Sequence, residues 1–220
     1  MSREGYKSSE DYRRKRIEEL VREFLVLIGE DPDREGLRDT PSRVAKMWVN
    51  ELSIGYFKKP EEVLKMFSYE DDEDQTNYKK IRDVIIVSGI SVRTLCEHHL
   101  LPIIGVASIA YIPEDKILGF SKFARIVDIF SRRLQLQERL TDQIADFIME
   151  HLRPRGVIVV IKGFHLCAFH RGVEEPMLML TRSVRGIFSE NDNLRNEVLN
   201  VIYQDLLSSK DLEHVLMKMF

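Results

Sequence analysis

Apolar positions near the start of the chain recur at helical spacing. Ile17, Leu20, Val21, Phe24 and Ile28 fall on one stripe, and Gly29 follows the last of them. The segment EDPDREGLRD is polar and reads as a loop. Thr40-Pro41 has the form of a helix start, a capping hydroxyl followed by proline at the first helical position. Val44, Met47, Trp48 and Leu52 form the stripe of that helix, closed by Gly55, and Pro60 opens a shorter helix with Val63, Leu64 and Phe67. From residue 83 the period changes. DVIIV, ISVRTL, IIGVASIAYI, GVIVVIKGF and HLCAFHR are rich in Val and Ile and bounded by Gly or Pro, which predicts strands. Two amphipathic helices interrupt them. One runs from about Ser121, with Phe123, Ile126, Val127, Phe130 and Leu134 inward; the other starts near Glu138, with Leu140, Ile144, Phe147, Ile148 and Leu152 inward. Asp192 is placed to cap a last helix bearing Leu194, Val198, Val201, Ile202 and Leu206.

The order β-β-α-α-β-β predicts an α+β fold, an antiparallel sheet with helices on one face, after an N-terminal helical region. Residues 69–77, YEDDEDQTN, are acidic and patternless and read as a solvated linker. The chain therefore divides into a helical region over 1–80, a catalytic domain over 81–207 and an extension over 208–220. In that extension Leu212, Val215, Leu216 and Met219 have helical spacing.

Composition narrows the class. The net charge of −3 gives no reason to expect a nucleic-acid or membrane partner, so any anion site has to be built locally from a few Lys and Arg residues. The segment MSREGYKSSEDYRRKR has no apolar core of the kind a secretory signal carries, and no apolar run approaches the ~18 residues of a membrane span. A cytoplasmic, reducing setting is the expectation. Cys96 and Cys167 are then buried bystanders or metal ligands rather than a disulfide.

Cys96-Glu97-His98-His99 carries the most chemistry. Cys96 and His99, three residues apart, can grip one ion from a tight turn. Cys167 offers a third soft ligand from a distant segment. Two thiolates and one imidazole suit Zn²⁺ and leave its fourth tetrahedral position to water, a catalytic rather than structural arrangement. Read as a strand, His165–Arg171 puts His165, Cys167, Phe169 and Arg171 on one face and His170 on the other. The strand before CEHH should end there, because a straight strand would send His98 and His99 to opposite faces. A lone Cys remains, on local sequence, a small buried hydrophobe, and His151 and His214 read as surface residues in helical patterns.

Ser121, Lys122 and Arg125 open a helix whose N-terminus offers free N–H groups and a positive dipole end, a place for phosphate. A solvated basic face is the plainer alternative. Gln137-Glu138 opens the next helix. A carboxylate there fits the N1–H and exocyclic amine of guanine, and a plain helix-dipole Glu fits the same residues.

Together these segments resemble GTP cyclohydrolase I over roughly residues 30–205. The matching stretches are TPSRVAKMW, CEHHLLPIIGVASIAYIP, GFSKFARIVDIFSRRLQLQERLTDQIADFI, HLCAFHRGV and GIF. The resemblance implies Cys96, His99 and Cys167 as zinc ligands and His98 and His165 as acid–base histidines. It implies Ser121 and Lys122 near ribose and triphosphate, Arg125 and Arg171 on phosphate, and Gln137 and Glu138 on guanine. It implies the tunnelling fold, a four-stranded antiparallel sheet with two helices per subunit, and toroidal homodecamers with active sites between subunits. The implied reaction opens GTP, releases C8 as formate and yields 7,8-dihydroneopterin triphosphate.

After HRGV the chain departs from that pattern. EEPMLMLTRSVRGIF is more apolar at Met177, Leu178, Met179 and Leu180 than the family's Ser/Thr-rich strand, and Arg182 and Arg185 are unusual there. Two rivals remain on sequence alone. One is another tunnelling-fold enzyme acting on pterins or deazapurines. Its pyruvoyl-tetrahydropterin synthase-like members hold zinc with three histidines, and its nitrile reductase branch uses a nucleophilic Cys. The other is a non-catalytic, zinc-stabilised binding module, which would have no need of His98, His165 and Glu138.

Overall fold

The computed structural model describes residues 9–68 and 83–208. The acidic stretch 69–77 and residues 209–220 of the extension lie outside the described residues. The chain divides into two compact units, Met1–Phe57 and Lys58–Phe220.

In the first unit α1 spans Glu10–Leu27, and its Ser9 cap accepts from the Tyr12 N–H at 3.3 Å. The predicted stripe is present but turned outward in this chain: Leu25 is the buried residue of α1, while Leu20, Phe24 and Ile28 are each more than half exposed. α2 spans Thr40–Met47 and starts one residue earlier than a Thr40 cap requires. Asp39 stands in the cap position and makes no side-chain cap hydrogen bond. Pro41, Ala45 and Val49 face inward there, so the buried stripe is displaced from Val44, Met47 and Trp48. The helix then widens into a π turn, Trp48–Leu52, where the Ser53 N–H and hydroxyl both donate to the Trp48 carbonyl.

The second unit opens on a short 3₁₀ turn, Pro60–Val63, and not on a helix that reaches Phe67. Phe67 lies in β1 (Met66–Ser68), which pairs antiparallel with β4 (Lys116–Leu118). The main sheet contains β2 (Ile85–Cys96), β3 (Pro102–Ile112), β5 (Leu134–Gln135), β6 (Gly156–His165) and β7 (Leu178–Gly186). Among the described residues their order is β5-β2-β3-β6-β7, antiparallel throughout except for two residues of β5 beside β2. DVIIV and ISVRTL are one strand, not two. A bulge at Ser88-Gly89 interrupts the register, and Gly89 supplies the positive φ of 72° that a bulge requires.

Two helices cover one face of this sheet, α3 (Phe120–Ser131) and α4 (Gln137–Leu152). Alternate strand residues Val92, Ala107, Ile109, Val157, Val159 and Ile161 pack against Phe123, Ile126, Val127, Leu140, Ile144 and Ile148. The predicted inward positions are met, with Leu134 joining β5 rather than the helix stripe. The other face is covered at one end by α6 (Ile187–Glu190) and α7 (Asp192–Ser208), through Phe188, Val198, Leu199 and Ile202 against Ala110, Ile112, Ile158 and Val160. β6 and the second half of β3, from Ala107, are buried on both faces, which is why they read as nearly continuous apolar runs. This is the α+β class expected from the pattern, with β7 rather than HLCAFHR as the last strand and with α6 and α7 on the face expected to be free of helices.

The unusual segment over 177–185 fits without a slip. β7 pairs with β6 in one unbroken register from Phe164–Leu178 to Gly156–Gly186. Arg185 ties β7 to α4 by pairing with Asp142 at 3.0 Å and Asp146 at 2.8 Å. The Ser183 hydroxyl donates to Asp142, and with Arg185 beside it this holds that carboxyl below the usual carboxylate range.

The cap of α7 is Asn191, whose side-chain oxygen accepts from the Leu194 N–H at 3.0 Å; Asp192 pairs with Arg195 instead. Asn191→Ala should lower stability by about 1 kcal/mol, roughly 2–4 °C in Tm. Asp192→Asn should cost less than about 0.5 kcal/mol, as exposed pairs do. Thermal melts at one fixed protein concentration compare the two, and equal losses would contradict the assignment.

Candidate metal centre and active site

β2 ends at Cys96 and β3 begins at Pro102, so the hairpin turn between them carries Glu97, His98 and His99. Two backbone bonds close it: the Cys96 N–H donates to the Leu101 carbonyl at 2.9 Å and the Leu100 N–H to the Cys96 carbonyl at 2.8 Å. Leu100 takes a left-handed φ of 57°, a costly conformation for a branched side chain and a sign that the surroundings hold the turn in place. Glu97 anchors it laterally. Its carboxylate pairs with Arg139 of α4, its N–H donates to the Gln135 carbonyl, and the arginine holds the Glu97 carboxyl below its ordinary range. Sequence reading passed over Glu97 and Arg139. The signal was available as opposite charges inside CEHH and QERLT.

The second ligand segment departs from expectation. HLCAFHR is not a continuing strand. β6 stops at His165, and Leu166–Phe169 forms one helical turn, α5, with the His170 N–H bonded to the Leu166 carbonyl. Phe169 folds back onto Phe164 with ring centroids 5.3 Å apart, whereas five strand residues would separate them by roughly 16 Å. The alternation that put His165, Cys167, Phe169 and Arg171 on one face therefore does not apply.

The turn brings Cys167 to Cys96 and His99. One ligand atom from each lies within 4.8 Å of the others, and the Cys96 sulfur stands 3.9 Å from His99 Nδ1. Tetrahedral zinc holds neighbouring S and N ligands about 3.5–3.8 Å apart, so these three atoms occupy three corners with small adjustment. Cys96 is buried, Cys167 half-buried and His99 exposed. Burial pushes the Cys167 thiol up, and the adjacent Cys96 pushes it further. Two sulfurs this close resist ionising together unless a cation lies among them. The donor set and the spacing both fit Zn²⁺.

His98 sits on the same exposed turn, its ring 6.2 Å from that of His99 and nearly perpendicular to it. His165 is half-buried, and its Nε2 is 3.0 Å from the Gln137 side-chain oxygen. Burial lowers the His165 pKa, with the charge of exposed Glu138 acting in the opposite sense. Gln137 is 1 % exposed, its carboxamide lying between α4, β6 and β7. Arg171 is exposed in the loop after α5, close enough for its charge to favour the Cys167 thiolate.

Ser121 and Arg125 line a cavity of about 960 Å³ with Lys58, Lys59, Arg93 and Arg132 against Glu62 and Asp128. Its lining is net cationic. Lys122, one residue from Ser121, is half-buried beside Gly119 and is not among the lining residues. Neither are Cys96, His98, His99, His165, Cys167 or Glu138. The structure thus gathers the candidate metal ligands in one place and the Ser121–Arg125 cations in another. Among the described residues, no helix is long and apolar enough to cross a membrane.

Comparisons with known proteins point to one family. The GTP cyclohydrolase I family model matches residues 17–203. A GTP cyclohydrolase 1 from Thermoanaerobacter pseudethanolicus is 48 % identical over 191 residues, 86 % of this chain and 96 % of that protein. Those from Caldanaerobacter subterraneus subsp. tengcongensis and Streptomyces avermitilis are 49 % and 46 % identical, covering 96 % and 92 % of those proteins. Among solved structures, the apo archaeosine synthase QueF-Like aligns with 47 % of this chain at a TM-score of 0.40 and 17 % identity.

Cys96→Ser, His99→Ala and Cys167→Ala should each reduce bound zinc from about one ion per chain to a small fraction, whereas His98→Ala should retain it. Atomic emission on dialysed protein reads this directly. Zinc loss in the His98 variant would move the ligand set.

Proposed function

The chain belongs to the GTP cyclohydrolase I family, and on that premise we propose that it hydrolyses GTP to 7,8-dihydroneopterin triphosphate and formate at a zinc centre held by Cys96, His99 and Cys167. The observation that carries this reading is the triangle of two sulfurs and one imidazole nitrogen drawn from segments some seventy residues apart. Zinc bound there supplies a Lewis acid that makes water acidic enough to serve as a nucleophile near pH 7.

The chain's own groups supply the rest. Water adds at C8 of the purine, and His98 or His165 gives a proton to the ring nitrogen that leaves carbon. A second addition releases C8 as formate. The ribose opens, rearranges to a ketone with Ser121 assisting, and recloses on the freed amine with loss of one water, so the net reaction consumes one. His165 is half-buried, and burial lowers its pKa from the ordinary value by favouring the uncharged ring. Glu138, at the exposed start of α4 and close enough to influence His165, takes the N1–H and exocyclic amine of guanine. Arg171 meets phosphate near the metal.

Ser121, Arg125 and the cations of their cavity take the ribose and triphosphate end, with Lys122 beside them. The separation of that cavity from the metal ligands supports a homo-oligomer, a decamer by family resemblance, in which one subunit's cavity completes its neighbour's zinc centre. Working on GTP, the protein belongs in the cytoplasm.

Zinc-loaded protein incubated with GTP should release formate and give a product that fluoresces as a pterin after oxidation. Cys167→Ala should abolish both, and turnover by that variant would refute the scheme. Base recognition has its own test. The intact enzyme should prefer GTP over inosine triphosphate by roughly 10²-fold or more in kcat/KM, because only guanine carries the exocyclic amine. Glu138→Ala should bring the two within about tenfold; an unchanged preference would remove Glu138 from the guanine edge.

A further inference from the structure

We propose that Gln137 acts as a positioning residue: its side chain orients His165 and fixes Nε2 as the ring's N–H, rather than meeting the guanine. This inference deepens the reading of His165 as an acid–base group and rests on it.

The amide's orientation is dictated by what surrounds it. Gln137 Nε2 lies 3.0 Å from the Ile161 carbonyl, 3.0 Å from the Met179 carbonyl and 3.1 Å from the Thr181 hydroxyl. Carbonyls only accept, so the NH₂ end must face them and the oxygen must face His165. That oxygen, 3.0 Å from Nε2, also only accepts, so Nε2 carries the hydrogen.

The network beyond the amide agrees in direction. The Thr141 hydroxyl lies 2.7 Å from the Gln137 backbone carbonyl and can only donate to it. Thr141 therefore accepts from Thr181, 2.7 Å away, which leaves the Thr181 oxygen to accept from Gln137. The two amide hydrogens are shared among three acceptors, and no group in the network is asked to donate and accept through the same hydrogen. Space is reserved as well: a Cβ on Gly163 would fall 2.2 Å from the Gln137 side-chain oxygen, so glycine there keeps the path to His165 open. An amide that is 1 % exposed, with its oxygen and both hydrogens committed, has nothing left to offer a purine.

The test uses zinc-loaded enzyme and GTP. Gln137→Met keeps length and volume and removes the hydrogen bonds. It should lower kcat ten- to a hundredfold while KM changes less than twofold and zinc content stays full. In a His165→Ala background the same change should cost less than a further twofold, because a residue acting through His165 has nothing left to act on. A tenfold rise in KM with kcat preserved, or an undiminished cost in the His165→Ala background, would overturn the proposal and return Gln137 to the substrate. Should Gln137→Met fail to fold, Thr181→Val carries the test: a kcat several-fold lower at unchanged KM supports the role, and an unchanged kcat overturns it. If His165→Ala alone keeps full kcat, the acid–base reading itself falls and takes this one with it. That result is distinct from one in which His165→Ala lowers kcat and Gln137→Met, made alone, raises KM.

Discussion

Pairing of Leu95 with Pro102 and of Ile103 with His165 decides where the candidate metal ligands, Cys96 and Cys167, can be. β3 is the shared partner. Its first residues face the end of β2 on one side and the end of β6 on the other. Cys96 follows Leu95 directly and Cys167 follows His165 by two residues, so the register of three strands delivers the two sulfurs to the same end of the sheet. A slip of one residue in either ladder would turn every side chain of the slipped strand to the other face. The strands resist that slip because β3 and β6 are apolar on both faces, and their two sets of side chains fill two differently shaped cores.

The register delivers the chain ends but does not aim them, and each ligand segment leaves the strand geometry to finish the job. On the β2–β3 side a tight turn with a left-handed Leu100 releases His99 from strand alternation, so that it reaches the same point as Cys96. On the β6 side one turn of helix, pinned by Phe169 on Phe164, does the same for Cys167. Rigid strands thus provide position, and short irregular pieces provide direction. The Glu97–Arg139 pair and the Glu97 backbone bond to Gln135 then fasten the ligand turn to α4 and β5. An exposed ion pair has little value as stability. Here it limits the turn's freedom.

How much of this could be read from the chain differs by kind of interaction. Core helices declare themselves because burial selects apolar residues at a period of 3.6, and α4 matched residue for residue at Leu140, Ile144, Phe147, Ile148 and Leu152. The candidate ligand types were legible because few side chains bind zinc, and the fold brings the three together. What stayed hidden was backbone direction over four or five residues. HLCAFHR has strand composition, and nothing local says that Phe169 will turn back. DVIIVSGISV looks like two strands because Gly89 reads as punctuation, whereas the fold uses its positive φ to keep one bulged strand going. The cap of α7 was misread by one position because Asn191 and Asp192 have equal capping chemistry. The exposure of Leu20 and Phe24 is a further case: periodicity identifies a stripe, and it does not say whether this chain or another surface covers it.

Gln137 and Glu138 show why adjacent residues at a helix start can serve opposite ends of one task. Consecutive helix positions point about 100° apart, so α4 sends one polar side chain into the sheet and the next toward solvent. The inward one must find a partner for every polar atom, because a buried amide left unpaired costs more than the bond it makes. It finds them in β6 and β7, and so becomes part of the scaffold that orients His165. The outward one keeps its carboxylate free for a ligand while its charge still reaches the same imidazole. On the proposed roles, one helix terminus couples recognition of the base to the setting of a candidate acid–base histidine, and the coupling needs no motion, only the fixed angle between neighbouring side chains.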